Sequence, residues 1–400
     1  RFNESPSQTA DQLMLAMTTD HAAADLYVLN ISSGLFDAAQ KKGLALDLSG
    51  SPILSEFSAA MAPFIRERLT QGQALYALPY QLFSQQLIAI NQPVAERLGI
   101  PQPMSLVELA ERYAAWVEQE GTEGLFLSSR PLWNPVSRFL IWGLDAYIAE
   151  YAEGDNINYD TPAFRDYIAL LERLRAPLAH LNEEHSGWQE HLKDKALIIE
   201  EYPLLKTQED IGISLPGLKP LALPLQSGGT PVIPVEMSLF MVNAASPNQE
   251  LSIKYLECLA ENYPPQQRIL LFDSFREPVE QENYRENLEV YQQKKELLEK
   301  QLTDPEHKDR ALDIQEELKK VDFILEEIAS QRWLITPEDI ALYEAVKPHL
   351  RLMPRISYAF YDALPATKKL FFNFVNGDID AKNFVEQLNQ TQRLINLEGQ

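Results

Sequence analysis

Along the first 80 residues the hydrophobic positions switch repeatedly between helical and extended spacing. After Ser5-Pro6-Ser7, Leu13, Met14 and Met17 fall at helical intervals within Gln8–Met17. Asp25-Leu26-Tyr27-Val28-Leu29-Asn30 is a short apolar run with polar ends, the pattern of a buried strand. A short helix over Gly34–Lys42 stops at Gly43, and Leu44–Leu48 is extended. A helix around Ala59–Leu69 and an extended Ala74–Pro79 follow. Such alternation predicts an α/β fold with a largely parallel sheet.

Gln86–Gly99 reads as a strand, then Asn91, then a short helix stopped by Gly99. Ser105 and Glu108 have the spacing of a capping box at the start of the next helix. Phe126–Ser129 is a short strand, and Arg130-Pro131-Leu132-Trp133-Asn134-Pro135 a proline-rich loop. Helical patterns cover Val136–Tyr151 and Pro162–Arg175, while Ala196–Ile199 and Val235–Asn243 are extended. Residues 281–330 differ in kind. Tyr284, Leu288, Tyr291, Lys295, Leu298 and Leu302 step by four and three, as do Ile314, Leu318, Val321, Leu325 and Ile328. With Thr303-Asp304-Pro305 between them, the two runs predict an antiparallel helical hairpin. Its plain use is a self-packed insertion with solvated charged faces; a partner-docking surface is the other.

Charge narrows the function. The 400 residues hold 35 Lys+Arg against 58 Asp+Glu, a net charge of −23, which argues against nucleic acid or an anionic lipid surface as a partner. The 45% hydrophobic and 10% aromatic content is that of a folded chain. Cys258 is the one cysteine, so neither an internal disulfide nor a cysteine metal cluster is possible. No run reaches the roughly 18–20 apolar residues of a membrane span. The start, Arg1-Phe2-Asn3-Glu4-Ser5-Pro6, reads as a processed or trimmed end.

Catalytic motifs are missing. Ser227-Gly228-Gly229-Thr230 is too short for a phosphate loop and opens no helix. His180, His185 and His191, with Glu183 and Glu184, invite a metal, but spacings of five and six splay imidazoles around a helix. Glu183-Glu184 and Glu200-Glu201 are adjacent carboxylates, which point apart, whereas a glycosidase needs two that face each other. The expectation is no enzyme, no metal and no cofactor.

Three segments, in this order, resemble the extracellular solute-binding proteins of ABC importers, the maltose-binding-protein-like family 1. They are Leu75–Tyr80 followed by Leu87–Asn91 and the helix Pro93–Leu98; Phe240–Glu250 running into the helix Leu251–Leu259; and Phe374–Ala381 opening the last helix. Asp25–Leu29, Gly43–Leu48 and Ala196–Pro203 add weaker echoes. The resemblance implies a two-lobed periplasmic-binding-protein-like α/β fold, with hinge crossings near Pro79-Tyr80, Pro234-Val235 and Arg351–Pro354. Lobe 1 would hold 1–80 and 236–282, without the usual first βα unit. Lobe 2 would hold 85–232 and 350–400, and 283–345 would be the inserted hairpin. The stretch from Pro79 to Asn91 is one residue longer than usual.

Such a protein captures a sugar, oligosaccharide or similar polar solute between its lobes and delivers it to a membrane permease. It acts as a monomer outside the cytoplasm, in the periplasm or as a lipoprotein. The resemblance implies ligand-stacking aromatics at Trp133 and Tyr202. In open α/β sheets ligands lie beyond the carboxyl ends of strands. That rule, with the crossings, adds Ser32 and Ser33 after the Tyr27 strand, together with Asn30. It also adds Tyr80, Gln81 and Ser84 at the first crossing, Glu236 and Ser238 at the second, and Tyr358 and Tyr361 near the last. Arg130 is a candidate for a ligand carboxylate or phosphate. Two other readings remain open: a protein-interaction module using the hairpin, and an enzyme of the carboxylate-pair type.

Overall fold

The structure is a computed structural model that describes residues 2–3, 15–17, 24–84, 87–103, 105–120, 127, 135–153, 156–179, 196–200, 202–207, 217–353 and 365–398. Strand β1 (Phe2–Asn3) precedes β2 (Leu26–Asn30), helix α1 (Leu35–Lys41), α2 (Pro52–Ala60) and α3 (Pro63–Leu69). The single helix expected around 59–69 is therefore two. Pro63 lacks an N–H and pushes Ala62 to extended backbone, while Pro52 and the Ser51 cap start the first helix early. Then come β3 (Thr70–Gln71), β4 (Ala74–Leu75), β5 (Leu78–Phe83), β6 (Ile88–Asn91) and α4 (Gln92–Leu98). Asn91 caps α4 through the Val94 N–H, and Gly99, at φ 65°, ends it in the left-handed conformation glycine favours. Ser105 caps α5 (Leu106–Glu120) through the Glu108 N–H, while the Glu108 carboxylate pairs with Arg112.

Beyond it lie α6 (Pro135–Tyr151), α7 (Pro162–Ala179), β7 (Ile198–Ile199), β8 (Leu218–Leu221) and β9 (Ile233–Val242). Helices α8 (Gln249–Glu261) and α9 (Pro265–Leu271) lead to β10 (Val279–Glu280). The chain continues through α10 (Tyr284–Thr303), α11 (Ala311–Ser330), β11 (Trp333–Ile335), α12 (Pro337–Val346) and β12 (Leu350–Leu352). It ends in α13 (Pro365–Asn376) and α14 (Ala381–Glu398).

The sheets are not largely parallel, which corrects the sequence expectation. β9 pairs antiparallel with β2 and with β5, while its pairing with β12, the β1–β2 pairing and an isolated Leu127–Ile198 bridge are parallel. A second sheet, β7-β6-β8, is antiparallel throughout. The reason is connectivity: β5 leaves the first sheet for the second, and β9 returns beside it in the opposite direction, so adjacent crossings run antiparallel.

Two apolar cores follow. The first gathers Tyr27, Phe36, Leu54, Leu78, Met237, Leu239, Leu271 and Tyr343 among others; the second gathers Ile90, Phe139, Tyr147, Phe164, Leu171, Phe374 and Phe384. β6 serves both, with Ile88 and Ile90 in the second and Ala89 in the first, as strand alternation requires. Two polar anchors explain two of the quoted motifs. Asp25 accepts hydrogen bonds from Ser246 Oγ at 2.7 Å and Asn248 Nδ2 at 3.2 Å, fixing the turn before α8. The Ser246 hydroxyl, with Asn248, holds the Asp25 carboxyl below its ordinary value. Arg175 donates to the carbonyls of Phe374 at 2.8 Å and Ile379 at 2.9 Å, tying the α13–α14 turn to α7.

The hairpin forms as expected. α10 and α11 pack through Leu298, Ile314 and Val321, with Lys294–Glu317 and Lys295–Asp322 ion pairs flanking the seam. It is shorter than 283–345, because Ile335, Ile340, Tyr343 and Val346 join the first core. Its root is a β10–β11 ribbon where Arg332 pairs with Glu280 at 2.8 Å and lies over the Trp333 ring at 4.3 Å.

Candidate functional site

The two faces of β9 are buried differently. Ile233, Val235, Met237, Leu239 and Met241 are all buried, whereas Pro234, Glu236 and Ser238 are partly open and Phe240 and Val242 are covered again. The odd face therefore lies wholly in the first core. The even face is covered at its far end and uncovered where the strand approaches the second sheet.

Strand pairing places other side chains on that uncovered stretch. Asn30 lies opposite Ser238, and Phe83 opposite Glu236. Asn30 Nδ2 donates to Glu236 Oε2 at 2.7 Å. On β5 the register runs Pro79↔Leu239 and then Gln81↔Ser238, so Tyr80 is an extra residue, a β-bulge. The bulge turns two consecutive side chains toward one face. Gln81 is exposed opposite Ser238, and Tyr80, 48% exposed, sets its ring edge-on to Phe240 with centroids 5.0 Å apart. The Tyr263 hydroxyl lies 2.6 Å from the Pro79 carbonyl oxygen and 2.8 Å from that of Tyr80. Burial pushes the Tyr263 phenol far above its ordinary value, so it stays a neutral donor.

Three passages of chain cross here. Ser84 Oγ donates to the Pro234 carbonyl at 2.7 Å, and the Met353 N–H donates to the Val235 carbonyl at 3.2 Å. Neighbouring carbonyls of an extended strand point to opposite edges, so β5 and β12 flank β9 on opposite sides. The outcome is a small polar floor of Asn30, Gln81, Glu236 and Ser238 beside one open aromatic ring, set at the junction of both cores. Amides, a carboxylate and a hydroxyl next to an aromatic face suit a polar solute with several hydroxyl groups.

In overall shape the chain is similar to two solved solute-binding proteins. Maltose-bound MalE3 of T. maritima superposes with a TM-score of 0.58 at 12% identity, over 98% of this chain and 90% of that one. A ribitol-bound ABC transporter solute-binding protein of Agrobacterium radiobacter K84 gives 0.54 at 13% identity, over 96% and 89%. The fold is the two-lobed periplasmic-binding-protein fold. No protein-family model matches the sequence, and no curated protein does.

The expected site residues divide three ways. Tyr80, Gln81 and Glu236 sit together on the open floor. Ser33 and Ser84 are turned inward: Ser33 Oγ donates to the Asn30 carbonyl at 2.6 Å and accepts from the Leu35 N–H, and Ser84 ties the crossing. Tyr202 is 3% exposed and packs in the first core. Trp133, Arg130, Tyr358 and Tyr361 lie outside the described residues, as does the Ser32 side chain; so do His180, His185 and His191. Among the described residues no group of three metal-binding side chains converges.

Several neighbours were not foreseen. Phe240 sits two positions beyond Ser238, a period-2 signal that was there to read. Tyr263 had none, while the bulge falls in the Pro79–Asn91 stretch, which is one residue longer than usual. Glu200 is buried against Arg138 at 3.4 Å. Next to the crossing, a cavity of about 30 Å³ lies among Ile88, Leu106, Trp142, Leu221 and Val232; its apolar lining suits packing play rather than a polar ligand.

Proposed function

We propose that this protein is the solute-capturing component of an ABC importer. It binds a carbohydrate or similar polar solute on the Asn30–Gln81–Glu236–Ser238 floor and the facing surface of the other lobe. The carrying observation is that the one uncovered stretch of β9 lies where three chain passages join the two cores. A ligand held there touches both lobes, and its higher affinity for the closed arrangement drives closure about the crossings. Lobe 1 comprises 1–80 and 236–282, lobe 2 comprises 85–232 and 350–400, and within 283–345 the α10–α11 hairpin is the insertion, the rest packing on lobe 1. The closed monomer presents both lobes to a membrane permease from outside the cytoplasmic membrane, free in the periplasm or lipid-anchored. Among the described residues no helix is long and apolar enough to cross a membrane. The bound sugar and polyol of the two structural neighbours support this solute class.

The test is a thermal-shift screen of mono- and oligosaccharides and polyols, followed by small-angle scattering with any stabilising compound. Stabilisation with a smaller radius of gyration is the expected result. A screen with no stabilising solute overturns the reading.

A second reading rests on the hairpin. Leu312 and Phe323 are 82% and 60% exposed on the side of α11 away from its packed seam, as a protein-docking face requires. Loss of a partner on removing the hairpin, with the floor intact, would favour it.

A further inference from the structure

The floor carries a carboxylate with which no cationic side chain among the described residues is ion-paired. Glu236 is partly buried, and its hydrogen bond comes from the neutral amide of Asn30. Arg351, opposite Pro234 on β12, is the cation in this register, and it turns away: its Nη1 donates to the carbonyls of Pro348 at 3.0 Å and Leu350 at 2.8 Å. On the same face the bulge holds the Tyr80 ring half-exposed, with Phe240 edge-on behind it. A partly desolvated carboxylate gains from a cationic partner, and an open aromatic face attracts the same charge. The protein as a whole, at −23, adds a field of the same sign.

We infer that the solute taken on this floor carries a protonated amine beside its hydroxyl groups, with Glu236 receiving the ammonium and the Tyr80 ring covering the adjacent carbon skeleton. This rests on the solute-capture reading above and narrows it to an amino sugar or an aminated polyol. Gln81 and Ser238 supply the neutral hydrogen bonds, so Glu236 decides between an amine and a hydroxyl at one position of the ligand.

Matched pairs separate the possibilities. Glucosamine, glucose and N-acetylglucosamine, their β-1,4-linked disaccharides, and amino-alditols with the parent alditols are titrated by calorimetry against the full chain. In the series that binds, the amine is expected to bind roughly tenfold tighter than its hydroxyl or acetylated counterpart. Glu236→Gln retains an oxygen for Asn30 and is expected to bring that ratio close to one, while Tyr80→Ala weakens the amine and Tyr80→Phe does not. Equal or tighter binding of the neutral member, or a ratio unchanged in Glu236→Gln, overturns the inference and leaves solute capture standing. Binding of no member in any series overturns both.

Discussion

The hydroxyl of Tyr263 lies 2.8 Å from the carbonyl oxygen of Tyr80, and through it a core residue sets the angle of an exposed ring. The bulge breaks the β5–β9 ladder at this point, and the same hydroxyl also meets the Pro79 carbonyl at 2.6 Å. Tyr263→Phe leaves both carbonyls, the Pro79 one buried, without that donor. It is expected to cost about 1–2 kcal/mol in urea unfolding and to weaken ligand binding as the ring loses its fixed direction. Unchanged stability would mean the bulge is held by sheet pairing alone.

Gly143 sits in the middle of α6, where helix propensity alone favours alanine by about 1 kcal/mol. Sterics decide otherwise. A Cβ there would overlap Cε1 and Cζ of Tyr167, whose ring is fully buried and whose hydroxyl is fixed 2.5 Å from the Phe139 carbonyl. Gly143→Ala is expected to destabilise by at least ~2 kcal/mol in chemical denaturation. Adding Tyr167→Leu should recover part of the loss, a non-additivity that measures the clash directly.

Stability should fall on both sides of neutrality for different groups. Burial raises the phenols of Tyr27, Tyr113, Tyr147, Tyr159, Tyr167, Tyr263 and Tyr343 above their ordinary value of 10.0. Above about pH 10 the unfolded tyrosines lose protons that the folded ones keep. Their contribution is therefore complete below that pH and is lost as pH rises through the folded values. Asp25 behaves oppositely: its lowered value makes its contribution present above the ordinary 3.8 and lost as pH falls through the folded value. Thermal melts from pH 3 to 11 check both limbs. Asp25→Asn should differ most from the parent near neutrality and least at the acid end.

Excising the hairpin should leave the lobes folded. The Gln281 N–H donates to the Arg332 carbonyl at 3.0 Å, so residues 282–331 can be replaced by an Asn-Gly turn joining β10 to β11. Leu298, Ile314 and Val321 belong to neither large core. Calorimetry should place the melting temperature within about 4 °C of the parent, the shift of roughly 1 kcal/mol in a domain of this size class. Aggregation of the excised chain would show that the hairpin supports lobe 1.

Periodicity made much of this legible. The Tyr27 strand, the Val235–Asn243 strand and the hairpin seam each came from spacing, because one-sided or two-sided burial writes itself into the apolar pattern. Sheet direction did not, since β5 and β9 carry the same alternation whichever way they run. The site was legible as a position along the chain more than as a set of side chains. Glu236 and Tyr80 followed from where the crossings fall. The inward turn of Ser33 and the burial of Tyr202 depend on contacts distant in sequence, which no local pattern encodes.

The hairpin root has a practical consequence. Where a chain departs and returns across one backbone hydrogen bond, the host lobe records nothing about what lies beyond it. The β10–β11 ribbon is thus a socket: a fluorescent domain or an affinity module seated at Gln281 and Arg332 would ride on lobe 1 without touching the floor. Paired with a second label on lobe 2, it would turn the protein's own closure into an optical signal.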